Sequence, residues 1–207
     1  MKKVILSILL LSAANFYVKS DEINFPPELL WWINEVKKAN PRIEINDFKL
    51  FEKETRYSNR NYLTSAFLVY PVFMRWNYSG NIVAYYNFND VGLKKQKNGK
   101  YIMSGGDIDS HFVFADRNKK IFFHDSFGSS LGIDAYNWLT DTVLIAVGTW
   151  INTDEKDSLI IKIYTISNLL DMVEIKTYIY ENALTSEDRI NLKSNWVEQR
   201  ADYFEIK

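Results

Sequence analysis

Residues 110–125 read SHFVFADRNKKIFFHD, and how this stretch turns on itself decides the fold. Ser110 to Ala115 and Lys120 to Asp125 are rich in aromatic and branched side chains, and the polar run Asp116-Arg117-Asn118-Lys119 lies between them. Two such runs around a short polar turn predict an antiparallel hairpin, with no helix between the strands. The pattern recurs along the chain. Ile82 to Phe88 follows the turn Ser79-Gly80-Asn81, and Asn98-Gly99 gives the strongest hairpin signal, with Tyr101 to Ser104 returning from it. Thr142 to Trp150 is almost wholly apolar and reads as a buried strand. Leu159 to Ile166 and Met172 to Tyr180 follow, the first entered through the polar turn Asp154-Glu155-Lys156-Asp157. Tyr62 to Trp76 is also strand-like, but Pro71 within it demands a bend, a bulge or an edge position. Ile43, Ile45, Phe48, Leu50 and Phe51 suggest one more extended segment, with a bulge.

Helical spacing occurs only near the ends. Leu29, Trp32, Ile33 and Val36 share a helical face within residues 27–39. Pro26 and Pro27 suit its start, Lys37 and Lys38 suit its end, and Asn40-Pro41 stops it. A second helix is predicted over 186–200, opened by Thr185 with Asp188 as a capping box in which aspartate takes the glutamate role. About eight or nine strands joined by short turns predict a mainly β fold. The expected form is a single antiparallel, meander-like domain, a sandwich or a curled sheet, with a helix at each end. No strand–helix–strand alternation is present, which disfavours a parallel sheet. No repeated signature supports propeller blades, and the unbroken apolar runs disfavour an outer-membrane barrel.

Residues 124–132, HDSFGSSLG, place Ser130 in a Gly-x-Ser-x-Gly spacing. A nucleophile elbow needs a following helix and a histidine later in the chain. The two histidines of the sequence, His111 and His124, both precede Ser130, so the stretch is predicted to be a turn between strands.

Residues 1–20 have the form of an export signal: Lys2 and Lys3, an apolar run from Val4 to Leu11, then Ser12, Ala13 and Ala14. Cleavage after Ala14 or after Ser20 fits, and the second is preferred because Asp21-Glu22 then opens the mature chain. The expected location is the bacterial periplasm or outside the cell, with membrane contact only during export. Residues 21–207 then form one domain of 187 residues, large enough for one core. The chain has no cysteine, so neither disulfides nor thiolate metal ligands can hold it. Removing residues 1–20 takes away three lysines and no acid, moving the net charge from −1 to −4, which is not the basic balance of a nucleic-acid-binding domain.

If Arg117-Asn118 were a two-residue loop, His111 would oppose His124 across the hairpin, with Asp109 on the same face. Two imidazoles and a carboxylate at that spacing could take a divalent cation such as zinc, or support hydrolytic chemistry. A three-residue loop would instead set His111 against Asp125. No other cofactor is implied. Aromatic residues make up 15% of the chain, and Trp31, Trp76 and Trp138 are the tryptophans least committed to apolar segments, hence candidates for binding a glycan. The lysines at 94, 95, 97 and 100 suit a solvated hairpin tip. The preferred function is an exported bacterial binding protein without enzymatic activity whose partner is another protein, in the manner of an inhibitor or immunity protein. A hydrolase or metal-binding protein centred on His111 and His124, and a glycan-binding module, are the alternatives.

Overall fold

The computed structural model describes residues 23–58, 74–88, 92–95, 97–104, 110–128, 130–151, 156–185 and 187–188. Helix α1 (Leu30–Ala39) continues from a 3-10 turn at Pro27–Leu29. Asn40 closes it, donating its backbone N–H to Val36 and its side-chain amide to the Ala183 carbonyl. Eleven strands follow among the described residues: β1 (Lys49–Tyr57), β2 (Met74–Trp76), β3 (Ile82–Phe88), β4 (Gly92–Lys95), β5 (Tyr101–Ser104), β6 (Ser110–Asp116), β7 (Ile121–Phe127), β8 (Leu131–Trp138), β9 (Val143–Trp150), β10 (Lys156–Ile166) and β11 (Met172–Thr185). Every described pairing is antiparallel.

The strands form a five-stranded sheet, β1-β11-β10-β9-β8, a four-stranded sheet, β2-β3-β6-β7, and the β4-β5 ribbon. The mainly β, antiparallel class is therefore as expected. The two larger sheets pack face to face through Ala84, Tyr86, Phe112, Phe114, Tyr136, Leu144, Ile160 and Tyr164. Helix α1 covers the opposite face of the five-stranded sheet, where Trp32 and Val36 meet Ala135, Ile145, Val147, Leu159 and Ile161. This layering explains the unbroken apolar run of β9. Successive side chains alternate faces, and both faces are covered. Leu144 and Ala146 point to the four-stranded sheet, whereas Ile145 and Val147 point to α1.

Two strands differ from expectation for identifiable reasons. The segment before Lys49 is a 3-10 turn, Ile45–Asp47, and the strand runs on through the polar residues Glu52 to Tyr57. β1 lies at the sheet edge with most of its residues exposed, so it carries no alternating apolar signal. β8 was hidden by Gly132 and by a bulge, the register shifting between Ile133 and Ala135. The Asn98-Gly99 turn is present, with Gly99 at φ 85° and Asn98 Oδ1 accepting the Lys100 N–H. Thr185 and Asp188 form the predicted reciprocal cap. The expected second helix beyond Asp188, most of Tyr62 to Trp76, and the expected export signal lie outside the described residues.

The β8 bulge makes a specific demand on β9. Gly148 pairs with Ile133, and a Cβ on Gly148 would stand 2.0 Å from the Gly132 carbonyl oxygen and 3.0 Å from the Ile133 Cα. Both obstacles are backbone, so a side chain can enter only if the strands separate. Gly148→Ala is expected to cost about 3 kcal/mol, at the upper end for overpacking, read as a lowered urea midpoint.

Candidate functional site

Strand β7 carries both clusters of polar chemistry, one on each face. Its hairpin with β6 settles the histidine geometry. The Lys119 N–H bonds the Asp116 carbonyl at 2.8 Å, the Asp116 N–H bonds the Lys120 carbonyl at 3.0 Å, and Lys119 has φ 61°. The loop is thus Arg117-Asn118-Lys119, one residue longer than the two-residue loop considered above. Asp116 stabilises it by accepting the Asn118 and Lys120 N–H groups. A bulge then adds a second residue, because Ala115 pairs with Ile121 while Phe114 pairs with Phe123. His111 consequently opposes Ser126, and His124 opposes Val113.

Two single-residue shifts restore the original face, since side chains alternate with period two. The histidines therefore meet diagonally rather than directly. His124 Nε2 lies 2.5 Å from His111 Nδ1, and the ring centroids are 4.5 Å apart. Ser126 Oγ is 3.2 Å from His111 Nδ1 and 3.4 Å from His124 Nε2. Asp109, the third expected member, lies outside the described residues. Among those described, no three His, Cys, Asp or Glu residues are grouped to hold a metal.

Both rings are partly exposed, although the same sheet face is buried at Val83, Tyr85 and Val113. Burial lowers the His124 pKa below its usual value of 6.5, and the positive charge of protonated His111 lowers it further. The folded state thus disfavours the imidazolium more than the unfolded state does. This contribution to stability is present above pH 6.5 and declines as pH falls through the lowered folded pKa. In chelator-treated buffer, wild-type stability is expected to rise with pH across this range. His124→Gln should show a shallower rise, measured by urea unfolding at a series of pH values.

The opposite face of β7 points Asp125 between the two sheets. The residue is 1% exposed. It accepts hydrogen bonds from Arg56 Nη1 at 2.7 Å, Lys162 Nζ at 2.8 Å and the Tyr164 hydroxyl at 2.9 Å. Arg56 also grips Glu54 through Nε at 2.8 Å and Nη2 at 2.6 Å. Glu54 and Arg56 come from β1, Lys162 and Tyr164 from β10, and Asp125 from the other sheet. Glu54 and Asp125 keep the Arg56 guanidinium firmly protonated against the opposing effect of burial. Burial holds the Tyr164 phenol well above its usual pKa of 10.0, with the Asp125 charge adding to the effect, so Tyr164 remains a hydrogen-bond donor. With three donors on its two oxygens, Asp125 clasps the two sheets together.

A groove crosses the five-stranded sheet at its β1 edge. In β1 the register shifts between Leu50 and Glu52, leaving Phe51 as the extra residue. In β11, Glu181 to Ala183 bulge opposite Ser158, and Asn182 takes φ 53°. The two irregularities open a cavity of about 360 Å³ lined by Phe51, Trp150, Ser158, Ile179, Glu181 and Asn182. Phe51 and Trp150 pack edge to face at 5.7 Å and 88°. Leu50 and Phe51 are 53% and 54% exposed. Sequence reasoning missed this site. Its one signal was the bulge suspected near Phe51.

The three candidate tryptophans do not share a surface. Trp31 packs partly buried beside the α1 core, and Trp76 on β2 is exposed. Trp138 is buried, donating its indole N–H to the Arg75 carbonyl at 2.7 Å, so it offers no ring face to a glycan. Ser130 lies in a turn where the Leu131 N–H bonds the Gly128 carbonyl, and strand β8 follows in place of the helix an elbow requires. Among the described residues no helix is long and apolar enough to cross a membrane. No family model, curated protein or solved structure matches the chain.

Proposed function

We propose that the chain is an exported bacterial binding protein, without enzymatic activity, that receives an extended segment of another protein along β1 and the adjoining groove. The carrying observation is the exposure of Leu50 and Phe51 on an edge strand beside a cavity with an aromatic wall. Edge strands normally carry charge to repel other strands, as Lys49, Glu52 and Lys53 do here. Two adjacent, half-exposed apolar residues depart from that rule. Apolar anchors beside a pocket and ringed by charge are the usual make-up of a recognition surface. Among the described residues β1 has a single strand neighbour, β11, and its other edge suits pairing with an incoming strand. Glu181 and Asn182 at the groove rim supply polar groups that fix direction. The non-enzymatic part is supported by Asp125, the most buried carboxylate of the cluster, whose two oxygens are engaged by Arg56, Lys162 and Tyr164 in joining the sheets. Export rests on residues 2–14, and an inhibitor or immunity role is the form of protein binding that suits such a location.

The test compares two baits tagged at Lys207 and expressed in the native host. Wild type is expected to retain one protein at near-stoichiometric yield, and Leu50→Asp with Phe51→Asp is expected to lose it. Both exposed substitutions should leave stability within about 1 kcal/mol. Equal retention by the two baits would place recognition elsewhere. N-terminal sequencing of the same exported bait should begin at Asp21.

A further inference from the structure

We propose that His111 and His124 form a binding site for one borderline divalent cation of the zinc or copper class, separate from the protein-binding face. The geometry supplies the argument. His111 Nδ1 and His124 Nε2 lie 2.5 Å apart, and Ser126 Oγ lies within 3.4 Å of both. Nitrogens that close share a single proton, since one ring must donate and the other accept. A metal ion can take the proton's place. Two metal–nitrogen bonds of about 2.0–2.1 Å at a tetrahedral angle set the nitrogens about 3.3 Å apart. The rings must therefore part by less than about 1 Å, a small rotation for two partly exposed side chains whose planes are already tilted by 31°. Two waters complete the four-coordinate shell from the solvent side, and the Ser126 hydroxyl is placed to bond one of them.

Imidazole ligands select for zinc, copper and nickel over magnesium and calcium, which prefer oxygen. On binding, the proton between the two facing nitrogens is displaced, so both metal-facing atoms present lone pairs. The hairpin sets the pairing. Without the bulge at Phe122, the three-residue loop would place His124 on the opposite face from His111. This inference does not depend on the protein-binding proposal, and neither test bears on the other.

These two residues are the only histidines in the sequence, so every imidazole signal belongs to the pair. Untagged protein labelled with nitrogen-15 would be titrated with zinc chloride and followed through its ring nitrogens. The proposal expects both rings to shift together, saturating at one zinc per chain, with the metal-facing nitrogens of both losing any attached proton. Magnesium chloride should leave them unmoved. His111→Ala and His124→Ala should each weaken zinc binding by roughly tenfold or more in equilibrium dialysis, while Ser126→Ala changes it far less. A shift of one ring alone, no shift at millimolar zinc, or zinc uptake unchanged in both histidine variants would overturn the site. The wild-type ring titration decides the question even if a variant fails to fold.

Discussion

Asp125→Ala is expected to cost about 3–5 kcal/mol of folding stability, because it strands a buried cation rather than merely deleting a bond. Lys162 is largely buried, with its ammonium 2.8 Å from Asp125 and 4.7 Å from the Phe127 ring centroid. Removing the carboxylate leaves that charge against aromatic faces, and ring contact restores only a fraction of what is lost. Arg56 fares better. It is 40% exposed along its side chain and keeps its two bonds to Glu54. The contrast is Asp125→Leu combined with Lys162→Met, which removes the ion pair without stranding a charge, and should cost far less than Asp125→Ala. Urea unfolding of the three proteins reads this directly. If the single and double variants lose equal stability, the loss comes from removing the pair itself and not from stranding the Lys162 charge.

Trp32→Ala is expected to cost a similar amount, about 3–5 kcal/mol, through the cavity left between α1 and the five-stranded sheet. Trp32 is fully buried, and its indole N–H donates to Asp134 Oδ2 at 3.1 Å. Thr149 Oγ1 donates to the same oxygen at 3.1 Å. Asp134 reaches this position because it is the extra residue of the β8 bulge, so it faces α1 together with Ala135. Trp32→Phe separates the two contributions. It keeps most of the ring volume but removes the donor, and should cost about 1–3 kcal/mol. Equal losses for alanine and phenylalanine, measured by thermal and urea unfolding, would show that the hydrogen bond outweighs the packing.

These two clasps also show why some of the structure was legible in the sequence and some was not. Period-two segments bounded by turn residues identified the antiparallel class, and the unbroken run of β9 announced a buried strand. Those signals are local. The register of the β6–β7 hairpin was not local in the same sense, since it depended on Lys119 entering a left-handed conformation and on Phe122 bulging. The two effects shifted the pairing by two residues relative to a two-residue loop, which is why the histidines share a face although the loop has three residues. The Asp125 cluster joins residues 69 and 37 positions apart to Arg56 and Lys162, beyond any motif. Its one visible trace was Lys162, a lysine within the apolar run Leu159 to Ile163. The polar strand β1 and the interrupted strand β8 escaped because an exposed edge and a bulge both erase alternation. The groove at Phe51 escaped with them, being the product of irregularities in two strands distant in sequence.

Hydrogen exchange of the backbone amides, with and without the captured partner, tests the recognition surface most directly. The account predicts new protection over residues 49–54 and 179–182, and little change at residues 111 and 124. Protection confined to α1 or to the histidine face, with β1 unchanged, would contradict it.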